Sequence, residues 1–298
     1  MKRVKPELVI SFSAFLSFCV LCGLGSLFQT YPLVRTEVNI LLCELLAFVP
    51  AMVFLHHFIP NTTYEVLRIP KRNHPFETFF FVCAASAAVT FLSFFLNYFV
   101  YSLLTLTNIS FHTAMVAVPR TLGSPASLIL SSVLIPALLE ELYLRGIMHS
   151  VLASRLNQTH LIFFSGFLFA LLHASLQNFI GPLLAGVFYA WLVCVLGSVW
   201  YAVLAHCIHS VLYNAIAWLV EFFNTFGIWS RFPAISLICF LLFLYIALRF
   251  TERLVIHRRF HRIAPKKTSF RFLTKLFSNV AMVALLVAFV AKAILGII

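Results

Sequence analysis

The chain has no aspartate. Its nine acidic residues are all glutamate, and only 10% of the 298 residues are charged. A soluble domain carries about 25%, so a soluble globular fold is excluded. Zinc-finger cysteine spacing and a phosphate-binding loop are both missing. Strong β-branched alternation is absent, which argues against a transmembrane barrel. No repeat of fixed period is visible, which argues against a solenoid or repeat array.

What is present is apolar length. Hydrophobic residues make up 62% of the chain, and the mean hydropathy is +1.01. The pattern predicts an all-α, polytopic transmembrane helical bundle of about eight or nine membrane segments. The nine windows are 8–29, 38–59, 77–101, 125–145, 161–178, 181–200, 203–222, 232–250 and 277–297. The first follows Lys2, Arg3 and Lys5 without a clear small-residue cleavage site, and reads as a retained helix. The expected division is 1–124 as N-terminal helices, 125–222 as a core, and 223–298 as C-terminal helices. The seven cysteines lie mostly inside spans, and Cys19 and Cys22 suit packing better than redox chemistry.

The net charge of +12 could suggest nucleic acid, but its distribution points elsewhere. Nine of the 21 basic residues fall in 249–275, between two spans. That fits the positive-inside rule and contact with anionic lipid headgroups. Nucleic acid is not an expected partner. Lys2, Arg3, Lys5, Arg68, Lys71, Arg72, Arg155 and the 249–275 cluster then share the cytoplasmic side, with single Arg35, Arg120 and Arg231 opposite. The N-terminus is expected inside, in a plasma (inner) membrane for a bacterial chain or the endoplasmic reticulum for a eukaryotic one.

Against this apolar background a few polar residues stand out. Glu140 and Glu141 are adjacent in SSVLIPALLEELYLRG. A carboxylate in hydrocarbon costs several kcal/mol unless it is paired, hydrated or neutralised. Glu141 and Arg145 are i,i+4 with the acid first, the better order for a salt bridge. That pairing leaves Glu140 free to serve as a general base or a metal ligand. Pro136, one turn earlier, weakens the local backbone ladder. In the next segment His173 falls in FSGFLFALLHAS, midway through the apolar run, with Phe169 one turn earlier as a wall for the imidazole. In GSVWYAVLAHCIHSVLYNA, the residues His206, Ser210, Tyr213 and Asn214 fall near one helical face, with His209 slightly rotated. A carboxylate and two imidazoles from three helices can activate water. Glu140, His173 and His206 could do so around a Zn²⁺ ion or without one. Glu44, mid-span in LLCELLAF, also needs a partner. Gly186, Gly197 and Ala190 suit close helix packing. His149 and His160 are expected at the surface.

The motifs resemble those of the CAAX-processing and bacteriocin-processing intramembrane proteases, the Rce1-like or Abi family. Glu140-Glu141-Leu-Tyr-Leu-Arg145 is similar to its EExxxR pattern, and Phe169-Ala-Leu-Leu-His173 to its FxxxH pattern. His206-Cys-Ile-His-Ser210 is similar to HxxxN, with Ser where Asn is usual. Glu140 would then activate the water, and His173 and His206 would bind or polarise it. Ser210, or Asn214 one turn on, would face the oxyanion. Glu141, Arg145 and Phe169 would have orienting or structural roles. The resemblance implies a peptide or lipidated protein substrate at the membrane, and leaves both a metal-dependent and a glutamate-type mechanism open. A catalytically silent scaffold, regulator or immunity-type factor is the alternative. A proton-coupled transporter using Glu44 and Glu140 is a third reading, disfavoured by the lack of an internal repeat.

Overall fold

The computed structural model describes residues 5–30, 36–60, 62, 64–69, 75–106, 129–176, 178–223, 231–256 and 270–295. Among them the regular structure is entirely helical. Helix α1 spans Pro6–Thr30, α2 Thr36–Phe58 and α3 Pro75–Thr105. The next helix, α4, runs through 130–153 in four consecutive pieces. These are a π-helical Leu130–Leu134, an α-helical Ile135–Glu141, a π-helical Leu142–Met148 and an α-helical His149–Ala153. Then follow α5 (Gln158–Leu172), α6 (Ile180–Leu196), α7 (Val199–Phe223), α8 (Phe232–Ile256), α9 (Phe270–Ser278) and α10 (Val280–Leu295).

The chain is a multi-pass membrane bundle, and the expected count of eight or nine segments is not confirmed. Among the described residues five helices are long and apolar enough to cross a membrane: α1, α2, α3, α7 and α8. The α9–α10 pair, bent by 57°, makes a sixth if counted as one span. Two of the expected segments are short. Helix α5 has 15 residues and α6 has 17. At about 1.5 Å per residue these fall short of a hydrocarbon core of about 30 Å. Their apolarity serves burial inside the protein along much of their length: no residue of α6 is exposed, and exposure on α5 is confined to Thr159, His160 and Phe163. Apolar composition alone does not separate a lipid-facing span from an inner helix.

The inner helices are held where they cross. A Cβ on Gly186 would come within 2.9 Å of the Cα of Gly166 and the Cβ of Phe169, so α5 and α6 touch nearly backbone to backbone. Gly197, expected to aid packing, instead ends α6 in the left-handed region at φ 76°. Helix α1 contributes a polar inner face. The Tyr143 hydroxyl lies 2.9 Å from Ser13 Oγ, and Ser17 donates to the Ala47 carbonyl at 3.0 Å, tying α1 to α4 and α2. His149 is buried rather than at the surface, because the end of α4 still packs against α5. His160 is partnered by Asn157, which caps the start of α5.

Several expectations fall outside the described residues. These are the basic positions Lys2, Arg3, Arg35, Lys71, Arg72 and Arg120, and positions 257–269 of the basic loop. The remainder of 249–275 is helical up to Ile256 and again from Phe270.

Candidate active site

Adjacent residues on a helix point about 100° apart, so the two glutamates face different surroundings. Glu141 points inward and is fully buried. Its Oε1 accepts from Arg145 Nη1 at 3.0 Å, the pairing expected from the i,i+4 spacing. The same oxygen lies 3.1 Å from His206 Nδ1 on α7. A carboxylate only accepts, so this nitrogen is the donor and Nε2 is left as an acceptor. Arg145, itself fully buried, sends Nη2 to the Gly186 carbonyl at 2.8 Å. Its guanidinium lies over the Phe169 ring at 4.6 Å and near Tyr189 at 5.5 Å. Stacking of this kind suits Arg because its planar cation is weakly hydrated. The His206 ring stacks on Tyr189 with 5.2 Å between centroids. One buried ion pair thus joins α4, α6 and α7 and fixes the orientation of one imidazole.

Glu140 faces the other way. It lines a cavity of about 380 Å³ together with Glu44 of α2, His173 and Lys292 of α10. Oε2 of Glu140 and Oε2 of Glu44 are both buried without a hydrogen-bond partner among the described residues. Glu44, an open question in the sequence, is thus a second carboxylate on the Glu140 cavity. The sequence pattern let Glu140 face both imidazoles. It shares its cavity with His173 only, and the imidazole of His206 belongs to Glu141.

His173 is not midway along a helix. It caps the C-terminus of α5, and the following Ala174 has a positive φ of 50°. Its Nδ1 lies 2.9 Å from the Phe169 carbonyl, so it is the donor and Nε2 is left as an acceptor. Its ring is 4.5 Å from that of Phe169. Because the helix ends there, the imidazole stands exposed to open space rather than packed in the core. It also lines a second cavity of about 280 Å³ with His206, His209, Ser210, Tyr213 and Asn214. The polar face read from α7 therefore gathers around one space. His209 is held there by Thr90 of α3. Thr90 Oγ1 donates to the Ser86 carbonyl, so it accepts from His209 Nδ1 at 2.9 Å. Asn214 turns back on its own helix, with Nδ2 donating to the Ser210 carbonyl at 2.8 Å.

Residues 122–212 match the family model described as type II CAAX prenyl endopeptidase Rce1-like. That segment is similar to the Rce1-like family. A search of curated proteins and a search of solved structures return no match. The matched segment contains α4, α5, α6 and the first half of α7, which carry both carboxylates and all three cavity imidazoles. Glu44 and Lys292 enter the site from outside it.

The donor set does not fit a metal ion. Among the described residues no three His, Cys, Asp or Glu gather closely enough to hold one. Glu140 and His206 line different cavities, and the Glu141 carboxylate is already engaged by Arg145 and His206. The expected trio of Glu140, His173 and His206 is therefore not assembled as a ligand set. Sequence reasoning also missed Tyr189, an aromatic inside an apolar helix. Its only signal was a hydroxyl that a buried position must satisfy, and that hydroxyl has no partner among the described residues.

Proposed function

We propose that the chain is an intramembrane endopeptidase that hydrolyses a peptide bond of a membrane-proximal substrate with a carboxylate-activated water. The observation that carries this reading is the division between the two glutamates. Glu141 Oε1 is engaged by both Arg145 and His206, whereas Glu140 lines a cavity; Oε2 of each is buried without a hydrogen-bond partner among the described residues. A base must reach its water without being tied up elsewhere. Glu140 takes the proton of the water and His173 Nε2 orients it. His206, held by Glu141 through Nδ1, presents Nε2 as a further acceptor for the water. Phe169 supports His173 on one side and Arg145 on the other.

The substrate class follows from the surroundings. An apolar cavity of about 530 Å³ lies between α3, α4, α7 and α8, lined by Cys83, Val133, Cys207, Ile208 and Phe243 among others. Cys207 and Ile208 are chain neighbours of His206 and His209. A hydrocarbon chain on a lipid-modified substrate suits such a space. Helix α9 supports the membrane setting, because Phe270 and Phe277 are exposed beside Arg271 and Lys275. That chemistry matches an interfacial helix on anionic headgroups.

One observation favours a second reading, a catalytically silent membrane scaffold or regulator. Ser210 stands where the resembled motif has Asn, and Asn214 spends its amide on its own helix. The test separates the two readings. Purified wild type, Glu140→Gln and His206→Ala are compared on a panel of membrane-proximal peptides, with and without a lipid modification. The protease reading expects wild-type cleavage, abolished in Glu140→Gln with the fold intact. A cellular phenotype that survives Glu140→Gln, with no cleavage by wild type, supports the scaffold.

A further inference from the structure

The 280 Å³ cavity, which meets the Glu140 cavity at His173, lacks the amide donor that α7 was expected to supply, and a different element holds one. The loop between α5 and α6 carries Asn178, which lines the 280 Å³ cavity with His206, His209 and Ser210. Its backbone is fixed by its N–H donating to Ser175 Oγ at 3.2 Å. Its side chain is fixed by Asn97 of α3, whose Nδ2 donates to Asn178 Oδ1 at 2.6 Å.

The direction of both amides is set by one backbone group. At the start of α6, the Gly181 N–H meets the Asn97 side chain at 3.2 Å. An N–H can only donate, so the oxygen of Asn97 must face it. The nitrogen of Asn97 is then turned toward Asn178, and the oxygen of Asn178 must face that nitrogen. Flipping either amide would set donor against donor. Asn178 Nδ2, with two hydrogens, is thereby left for the cavity, and no acceptor for it occurs among the described residues. This is a donor oriented before any substrate arrives, the arrangement that makes oxyanion stabilisation effective because nothing must reorganise during the reaction.

We infer that Asn178 is a catalytic residue that donates a hydrogen bond from Nδ2 to the oxyanion of the tetrahedral intermediate, with Asn97 as its positioning residue. The inference rests on the protease reading and adds a residue from the α5–α6 loop to it. In the step concerned, water oxygen bonds to the carbonyl carbon and its proton passes to Glu140. The carbonyl π pair moves onto oxygen, where Asn178 meets it. Collapse returns that pair, breaks the C–N bond and releases the amine, which takes the proton held by Glu140.

The experiment uses the purified full chain in liposomes with two probes. One is a fluorogenic membrane-proximal peptide. The other is the peptidyl phosphinate of the same sequence, a tetrahedral anion that mimics the intermediate. Asn178→Ala should lower kcat by about 10²-fold and leave KM almost unchanged, as removal of one oxyanion donor does. Phosphinate affinity should fall by a similar factor while peptide affinity holds. Asn178→Asp keeps the size and the bond from Asn97 but replaces the donor with a carboxylate, and should fall further. Asn97→Leu should show the same split between kcat and KM to a smaller degree. An Asn178→Ala protein with unchanged kcat and unchanged phosphinate affinity overturns the inference. If wild type cleaves no peptide, the protease reading falls by itself. The donor role is then decided by the phosphinate alone: wild type must prefer it to the peptide, and Asn178→Ala must lose that preference. Equal preference in both proteins overturns the role.

Discussion

Glu140 and Glu141 are covalent neighbours on one helix, yet one stands at a cavity and the other is locked in the core. Glu141 is fully buried, accepts from Arg145 at 3.0 Å and His206 at 3.1 Å, and through Arg145 reaches the Gly186 carbonyl at 2.8 Å. Glu140 opens on the cavity it shares with Glu44, His173 and Lys292. The difference teaches that a pair of adjacent acids in an apolar helix need not act as a pair. The helix turn separates them, and tertiary packing gives one a structural task and the other chemical freedom.

Three substitutions and one additive sharpen that contrast, in order of expected effect. Glu141→Ala should cost about 3–5 kcal/mol, because it leaves the Arg145 guanidinium buried without its counter-charge. Reversible unfolding in detergent measures this, and a loss below about 1 kcal/mol would remove the structural half of the comparison. Gly186→Ala should cost about 1–3 kcal/mol by overpacking, since its Cβ would meet Phe169 and Gly166 at 2.9 Å and Arg145 Nη2 at 3.0 Å. Phe169→Leu should cost about 1 kcal/mol, the order of a partly desolvated cation–π contact, and should also lower cleavage by loosening His173. Chelation with EDTA should leave cleavage unchanged, because the donors do not gather as a ligand set. Activity lost to chelator and restored by Zn²⁺ would break that part of the account.

Much of the site could be read in the sequence, residue by residue. The i,i+4 order gave the Glu141–Arg145 pair, and the face rule gathered His206, Ser210, Tyr213 and Asn214, which now line one cavity. Helix period is local, so such relations survive into the fold. Three things were hidden because they are not local. The His206–Glu141 bond joins positions 65 residues apart. The end of α5 at His173 carries no glycine or proline signal, since Ala174 takes the left-handed turn. The π-helical pieces on either side of Ile135–Glu141 leave no compositional mark either. The span count was hard to read for a different reason. Residues 158–172 and 180–196 are as apolar as membrane spans while most of their residues pack within the protein, and only length and burial distinguish the two cases.

The central claim is that the two glutamates do different work, so the most direct test measures both in both variants. Glu140→Gln and Glu141→Gln are prepared side by side, and each is assayed for peptide cleavage and for unfolding stability. Glu140→Gln should lose cleavage by about 10³-fold, within the range of a lost general base, and keep wild-type stability. Glu141→Gln should lose stability, with its cleavage loss traceable to the displaced His206. Full cleavage by Glu140→Gln, or a loss of stability confined to that variant, would contradict the account.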